Sequence, residues 1–254
     1  HRSLRPDIGL VDPDNTRSLP RMVAACSGFD VLCHGIESYT ALPFSEREGP
    51  VTPAHRPIYQ GANPISDVWA LAALELVGKS ILPAVLESDN TDARSNMAMA
   101  ATFAGVGIGN AGVHLPHGMS YPVSGLIKEF TPDDYSIGKP IVPHGMAVIL
   151  NAPAVFRYTA PTNPERHMRA AQLLGADTSG TGPEDAGDLI AERLVSILKQ
   201  IGIPNGLGGI GYTVEDVPAL VKGTLPQHRV TKLAPRPTGA DELAGLFSDS
   251  MKLW

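Results

Sequence analysis

The sequence predicts a mainly α-helical, bundle-like domain, and three observations carry that prediction. Apolar residues recur with helical spacing almost continuously after Pro20. Asn63-Pro64, Asn90-Thr91, Asn163-Pro164 and Thr213 supply helix-start chemistry, with a capping side chain or a proline suited to a first turn. Convincing strand patterns are scarce, and the low aromatic content (6%) beside plentiful Ala, Gly and Pro suits helices packed closely through small residues.

In chain order, Ile8–Pro13 (IGLVDP) reads as one strand and a turn. One strand alone cannot form a sheet. Residues 1–20 are therefore expected to be the remnant of another domain or its linker, packing poorly for want of a partner. Residues 21–254 form the helical domain. Its first helix spans Arg21 to Tyr39, and Thr52 to Asn63 is a loop. A long helix follows Asn63-Pro64 and should end or kink at Pro83. The next is expected over Thr91–Ala104, then a Gly-rich apolar segment and a polar loop from Gly125 to Pro140. His144–Phe156 is apolar, with a kink expected at Pro153. Amphipathic helices follow at Pro164–Leu174, Pro183–Ile201, Val214–Lys222 and Ala240–Leu253.

The net charge is −6 with acids and bases interspersed, which points to neither nucleic acid nor an anionic membrane as partner. The least charged stretch, Ala104–Val123, holds five Gly, two Pro and two His, a composition for a segment buried in protein. Cys26 and Cys33 share a helix at a separation of roughly 10 Å, too far for a disulfide, so a reducing compartment is the simpler reading.

Chemistry concentrates in three apolar segments. Met22–Ile36 is apolar almost all round yet contains Asp30 and His34, whose spacing puts them on one helical face. A buried carboxylate costs several kcal/mol unless it is paired or bound to a metal. Ala104–Val123 brings His114 and His117 without any formal charge, and Ile141–Phe156 brings His144. His-Gly-Met occurs at both His117 and His144, and a glycine there permits close approach. Three imidazoles and a carboxylate form a ligand set for a divalent transition metal. A structural Asp–His hydrogen bond and satisfied core histidines are the alternative on spacing alone.

SGFDVLCHGIESY (Ser27–Tyr39), FAGVGIGNAGVHLPHGMSYPVSG (Phe103–Gly125), VPHGMAVIL (Val142–Leu150) and KLAPRP (Lys232–Pro237) together resemble the iron-containing alcohol dehydrogenase family. The resemblance covers essentially the whole chain. It implies a dehydroquinate synthase-like fold, here the C-terminal α domain, and assigns Asp30, His34, His117 and His144 as metal ligands. The implied cofactors are Fe²⁺, or alternatively Zn²⁺, and NAD(P) held by an N-terminal domain outside this sequence. A small-molecule alcohol, hydroxyacid or oxoacid is the implied partner, with a homo-oligomer, a dimer, as the implied assembly. The implied location is cytoplasmic, or the mitochondrial matrix in a eukaryote.

Two departures from the common pattern resemble the hydroxyacid–oxoacid transhydrogenase branch. Tyr121 stands where the family's second histidine would fall, four residues after His117, and is the candidate proton-handling residue. A phenol is a weaker acid than an imidazolium. The stretch between His117 and His144 is also long, and Lys128 within it is a candidate anchor for a substrate carboxylate. In that branch hydride passes from a hydroxyacid such as 4-hydroxybutyrate to bound nicotinamide and on to an oxoacid such as 2-oxoglutarate. An ordinary NAD(P)-dependent iron alcohol dehydrogenase is the alternative within the family. A metal-assisted hydrolase on a helical scaffold, or a helical interaction module with structural His and Asp, are alternatives from other classes.

Other residues invite plainer readings. His114 is expected in the core or behind the ligands, and Glu37 either orients His34 or is solvated. His1, His55, His167 and His228 are expected at the surface. Gly206–Gly211 (GLGGIG) matches a dinucleotide fingerprint literally, but no strand precedes it, so it reads as a loop.

Overall fold

The computed structural model describes residues 6–254. His1 and the start of the expected linker lie outside the described residues. Among those described there are eleven α-helices and no strand; the one β contact is an isolated bridge between Pro43 and Ala62.

Three long helices set the frame: α1 (Arg21–Thr40), α2 (Pro64–Leu86) and α3 (Thr91–Ala111). Asn63 caps α2 by accepting from the Ser66 amide, and Asn90 caps α3 by accepting from the Ala93 amide, so two orphan donors are satisfied as the sequence forecast. The α2–α3 hairpin packs on α1 through Leu74, Val77 and Ile81 against Phe29, Leu32 and Ile36, all buried. Helix α2 is long and apolar enough to cross a membrane by length and composition, and it is partly buried in the protein. It also carries the exposed Glu75–Lys79 ion pair.

Behind α1 lie α4 (Leu115–Gly125), α5 (His144–Ile149), α6 (Ala152–Thr159), α7 (Pro164–Leu173) and α8 (Ala186–Ile201). Helices α9 (Val217–Thr224), α10 (His228–Thr231) and α11 (Ala240–Ser250) close the far side of α4 and α6. Arg166 on α7 fastens the end of α1: its Nε donates to the Tyr39 carbonyl, its guanidinium stacks 3.9 Å over the Tyr39 ring, and it pairs with Asp67 of α2. The Tyr39 carbonyl is one of the acceptors a helix end leaves unpaired, so the clamp acts where a donor is needed.

The structure departs from sequence expectation in five places. Ile8–Pro13 forms no strand, and Ile8 and Leu10 are 85% and 92% exposed; among the described residues nothing is placed to pair with them. Helix α2 runs three residues past Pro83, because burial of Ala84 and Val85 offsets the lost Lys79 carbonyl bond. Helix α3 continues seven residues beyond Ala104, through Gly105, Gly107 and Gly109. Each glycine costs about 1 kcal/mol of helix propensity, but Gly107 lies against the α2 backbone at Ala70 N and Ser66 O, 3.5 Å from an imagined Cβ. The break in the apolar stretch after His144 falls at Leu150–Asn151, where the Asn151 amide donates to the Ala147 carbonyl. Pro153 instead sits in the first turn of α6, where its missing N–H has no cost. The short α10 carries too little periodicity to be read from sequence. Gly206–Gly211 does not enclose a strand–loop–helix unit; Leu207–Ile210 is a single 3₁₀ turn. Cys26 and Cys33 are buried and unbridged.

Candidate metal centre

Four side chains from three helices converge. Asp30 and His34 lie one turn apart on α1, His117 is in the first turn of α4, and His144 opens α5. Asp30 Oδ1 is 3.2 Å from His117 Nε2, 3.4 Å from His144 Nε2 and 3.7 Å from His34 Nε2. Ligand atoms of Asp30, His34 and His117 lie within 4.8 Å of one another. The His34 and His117 rings stack with centroids 4.8 Å apart, and the His144 ring meets His117 edge-on at 5.3 Å.

Two observations test whether this set suits a cation. Asp30 Oδ1 and His117 Nε2 are buried and lack a hydrogen-bond partner; although 3.2 Å apart, they are not aligned on each other. Buried polar atoms left unpartnered are rare and costly. A carboxylate ringed by three imidazole nitrogens is, moreover, a donor set that divalent transition metals accept. The residues present therefore fit a divalent ion.

The site's electrostatics run the same way. Burial pushes the Asp30 carboxyl upward, but the contact with His117 and the surrounding imidazoles outweigh it and hold it below its ordinary value. Burial depresses His34 and His144. Burial also opposes charge on His117, yet the Glu37 carboxylate, followed by contacts with Asp30 and Glu37, raises it to about 9.

Backbone approach explains the glycines. Gly145 follows His144 where α5 crosses α1: a Cβ there would lie 1.8 Å from the Cys26 carbonyl oxygen and 3.2 Å from Asp30 Cβ. Gly118 follows His117 where the Thr231 methyl group packs, 2.7 Å from an imagined Cβ. In both cases the space goes to neighbouring protein.

The open side of the cluster is at His144, whose side chain is 44% exposed, against 4% for His117. Tyr121 lies there, one turn after His117, its ring stacked on His144 at 6.3 Å and 22°. Lys128, expected to meet a substrate carboxylate, is paired with Asp216 Oδ1 at 2.6 Å and lies over the Tyr212 ring. A substrate carboxylate would have to compete with Asp216 for it.

Two expectations require correction. Glu37 is fully buried and faces His117, not His34: its Oε1 accepts from His117 Nδ1 at 2.6 Å. The residue spacing placed it near His34, but the approach of α4 gives it a better donor. His167 is not at the surface; it is buried between the Asn163 carbonyl (2.8 Å from Nδ1) and Thr159 Oγ1 (3.0 Å from Nε2). Its helix turns that face inward, which a polar local sequence concealed. Ser120, Thr159 and Asn151, also buried, were not singled out; each spends its donor on a nearby carbonyl, and no sequence signal marks that. His114 is in the core as expected, with Nε2 3.2 Å from Thr40 Oγ1.

Burial lowers His114 and His167 to about 4, from an ordinary value of 6.5. The unfolded chain therefore takes up these two protons before the folded chain does. The contribution of these two imidazoles is fully present above about pH 6.5 and is expected to be lost as pH drops toward 4, by about 3 kcal/mol per imidazole. The depressed carboxyls Asp30 and Glu37 add loss of the same sign at lower pH. Urea unfolding between pH 7 and 4.5 measures this, and His167→Gln should reduce the slope. A flat profile would contradict the buried neutral assignment.

The chain matches the family model described as Fe-containing alcohol dehydrogenase family, C-terminal, over residues 58–251. The chain belongs to this family. Its relatives include the hydroxyacid-oxoacid transhydrogenase, mitochondrial, of Xenopus tropicalis, 54% identical over the entire chain and 55% of that protein. The protein of the same name from Homo sapiens is 53% identical over the entire chain and 54% of its own length. Among solved structures, 1,3-propanediol oxidoreductase superposes with a TM-score of 0.78 at 27% identity, over 94% of this chain and 54% of that one. The fold is thus the helical C-terminal fold of iron-containing alcohol dehydrogenases. The chain spans about half the length of the curated relatives it matches. Both His117 and His144 fall inside the matched region, whereas Asp30 and His34 precede it.

Proposed function

We propose that this chain is the metal-binding half of an oxidoreductase that moves hydride from a hydroxyacid to an oxoacid through bound nicotinamide. The observation carrying this reading is the convergence of Asp30 with the Nε2 atoms of His34, His117 and His144, open on the side of Tyr121. The relatives favour a transhydrogenase over a simple alcohol dehydrogenase, since those at 53–54% identity bear that name while the propanediol oxidoreductase stands at 27%.

Asp30, His34, His117 and His144 would hold the ion, Fe²⁺ first and Zn²⁺ as alternative, for three nitrogens and one oxygen suit either. A divalent ion there supplies Lewis acidity toward the substrate oxygen. The chain's own residues do the rest. Packing of α1, α4 and α5 buries His117 to 4% exposure and leaves Asp30, His34 and His144 partly accessible. Tyr121, stacked on His144, would exchange a proton with the substrate oxygen through its phenol. NAD(P) would be bound by the portion of the relatives' length that this chain does not span. The relatives' names support a mitochondrial location.

The deciding assay combines 4-hydroxybutyrate and 2-oxoglutarate with the purified full-length enzyme and no added nucleotide, alongside elemental analysis. Turnover of both acids is expected. Activity that appears only with stoichiometric added NAD(P) would make the protein an ordinary alcohol dehydrogenase, and absence of metal would remove the whole reading.

A further inference from the structure

The structure assigns to Glu37 the positioning of His117: its carboxylate fixes which ring nitrogen carries the proton, and thereby which one is free for a metal. This rests on the metal-site reading above.

Glu37 is completely buried on α1, two turns after Asp30. One oxygen, Oε1, accepts from His117 Nδ1 at 2.6 Å, and the other, Oε2, accepts from the His114 backbone N–H at 2.7 Å and the His117 backbone N–H at 3.4 Å. Helix α4 has no capping side chain of its own. The Glu37 carboxylate takes that place from another helix, meeting the orphan donors and the positive end of the α4 dipole. The same side chain thus starts α4 and holds the first-turn imidazole that projects from it. A carboxylate has only acceptors, so Nδ1 must donate and its proton is pinned there. Nε2, the atom facing Asp30 and lacking a hydrogen-bond partner, is then the nitrogen with a lone pair to give.

An amide in the same place predicts a specific reversal. In Glu37→Gln the backbone N–H of His114 can only donate, so it claims the amide oxygen. The amide NH₂ is left facing Nδ1, which must become an acceptor. The ring proton then resides on Nε2, where it competes with the metal. Volume and hydrogen-bond number are nearly unchanged, so a purely structural role would leave both readouts still.

The experiment uses the full chain. Zn²⁺ affinity by competition with a fluorescent chelator is expected to fall 10- to 100-fold in Glu37→Gln. In ¹⁵N NMR of the metal-free proteins, His117 Nδ1 should carry a proton in the wild type and lose it in the variant. Unchanged Zn²⁺ affinity, or an Nδ1 still protonated in the variant, overturns the inference. Should the variant not fold, the wild type alone decides: a slowly exchanging Hδ1 resonance of His117 must persist in both metal-free and Zn²⁺-loaded protein, and its absence overturns the assignment. A wild type that binds no Zn²⁺ at all fails at the earlier step, sinking the metal site itself and this inference with it.

Discussion

Asp30→Ala is expected to weaken divalent-metal binding by about a hundred- to ten-thousandfold. Asp30 Oδ1 is the one anionic atom facing all three imidazole nitrogens, at 3.2–3.7 Å. Removing one partner of a buried charged set costs roughly 3–5 kcal/mol, and each 1.4 kcal/mol is about tenfold in affinity. The readout is direct: the wild-type melting temperature should climb with added Zn²⁺ or Fe²⁺, because a ligand that binds only the folded state stabilises it. Asp30→Ala should show no such climb at the same metal concentration, and full-length enzyme carrying it should lose its turnover. A variant that retains stoichiometric metal through purification would show that the histidines suffice, and Asp30 would no longer count as a ligand. His144→Ala is expected to have a smaller effect on affinity, since that ring is the most exposed of the three.

Gly145→Ala should lower folding stability by about 3 kcal/mol or more and pull His144 out of register. An added methyl would sit 1.8 Å from the Cys26 carbonyl oxygen and 2.8 Å from its carbon. Both are backbone atoms within α1, which cannot rotate aside as a side chain could. Helix α5 must therefore retreat from α1, and overpacking of that kind typically costs 1–3 kcal/mol, occasionally more. The same movement separates His144 from Asp30, so metal affinity should drop with stability. Gly109→Ala is the matched control. Nothing lies within 4 Å of a Cβ there, and the position is inside α3. That exchange should raise stability by roughly 0.5–1 kcal/mol through helix propensity and leave the metal site alone. Chemical denaturation of the two variants gives the comparison. A stabilising Gly145→Ala would mean that the α1–α5 crossing is looser than its packing implies.

The helical class and the domain's punctuation were legible because they depend on local chemistry. Asn63, Asn90 and Asn163 cap the helices that follow them by accepting from a backbone amide three residues on. Boundaries set by packing were not legible: the continuation of α2 past Pro83 and of α3 through three glycines depends on what lies on the opposite helix. The same division runs through the candidate site. Asp30 and His34 share a face by spacing alone, and a carboxylate in so apolar a helix demands a partner.

What the sequence by itself determined, then, was a mainly helical chain carrying ligand-type groups in three apolar segments, with His-Gly-Met at two of the histidines. Only the tertiary structure decided that His117 and His144 reach Asp30, because 87 and 114 residues separate them from it and no periodicity spans such a distance. It also decided that Glu37 faces His117 and that His167 is buried, and it placed Lys128 on Asp216. Each of those outcomes is a contest between partners. Glu37 could be solvated or turned toward His34 until α4 brings three N–H donors to it, and a buried carboxylate goes where the most donors are.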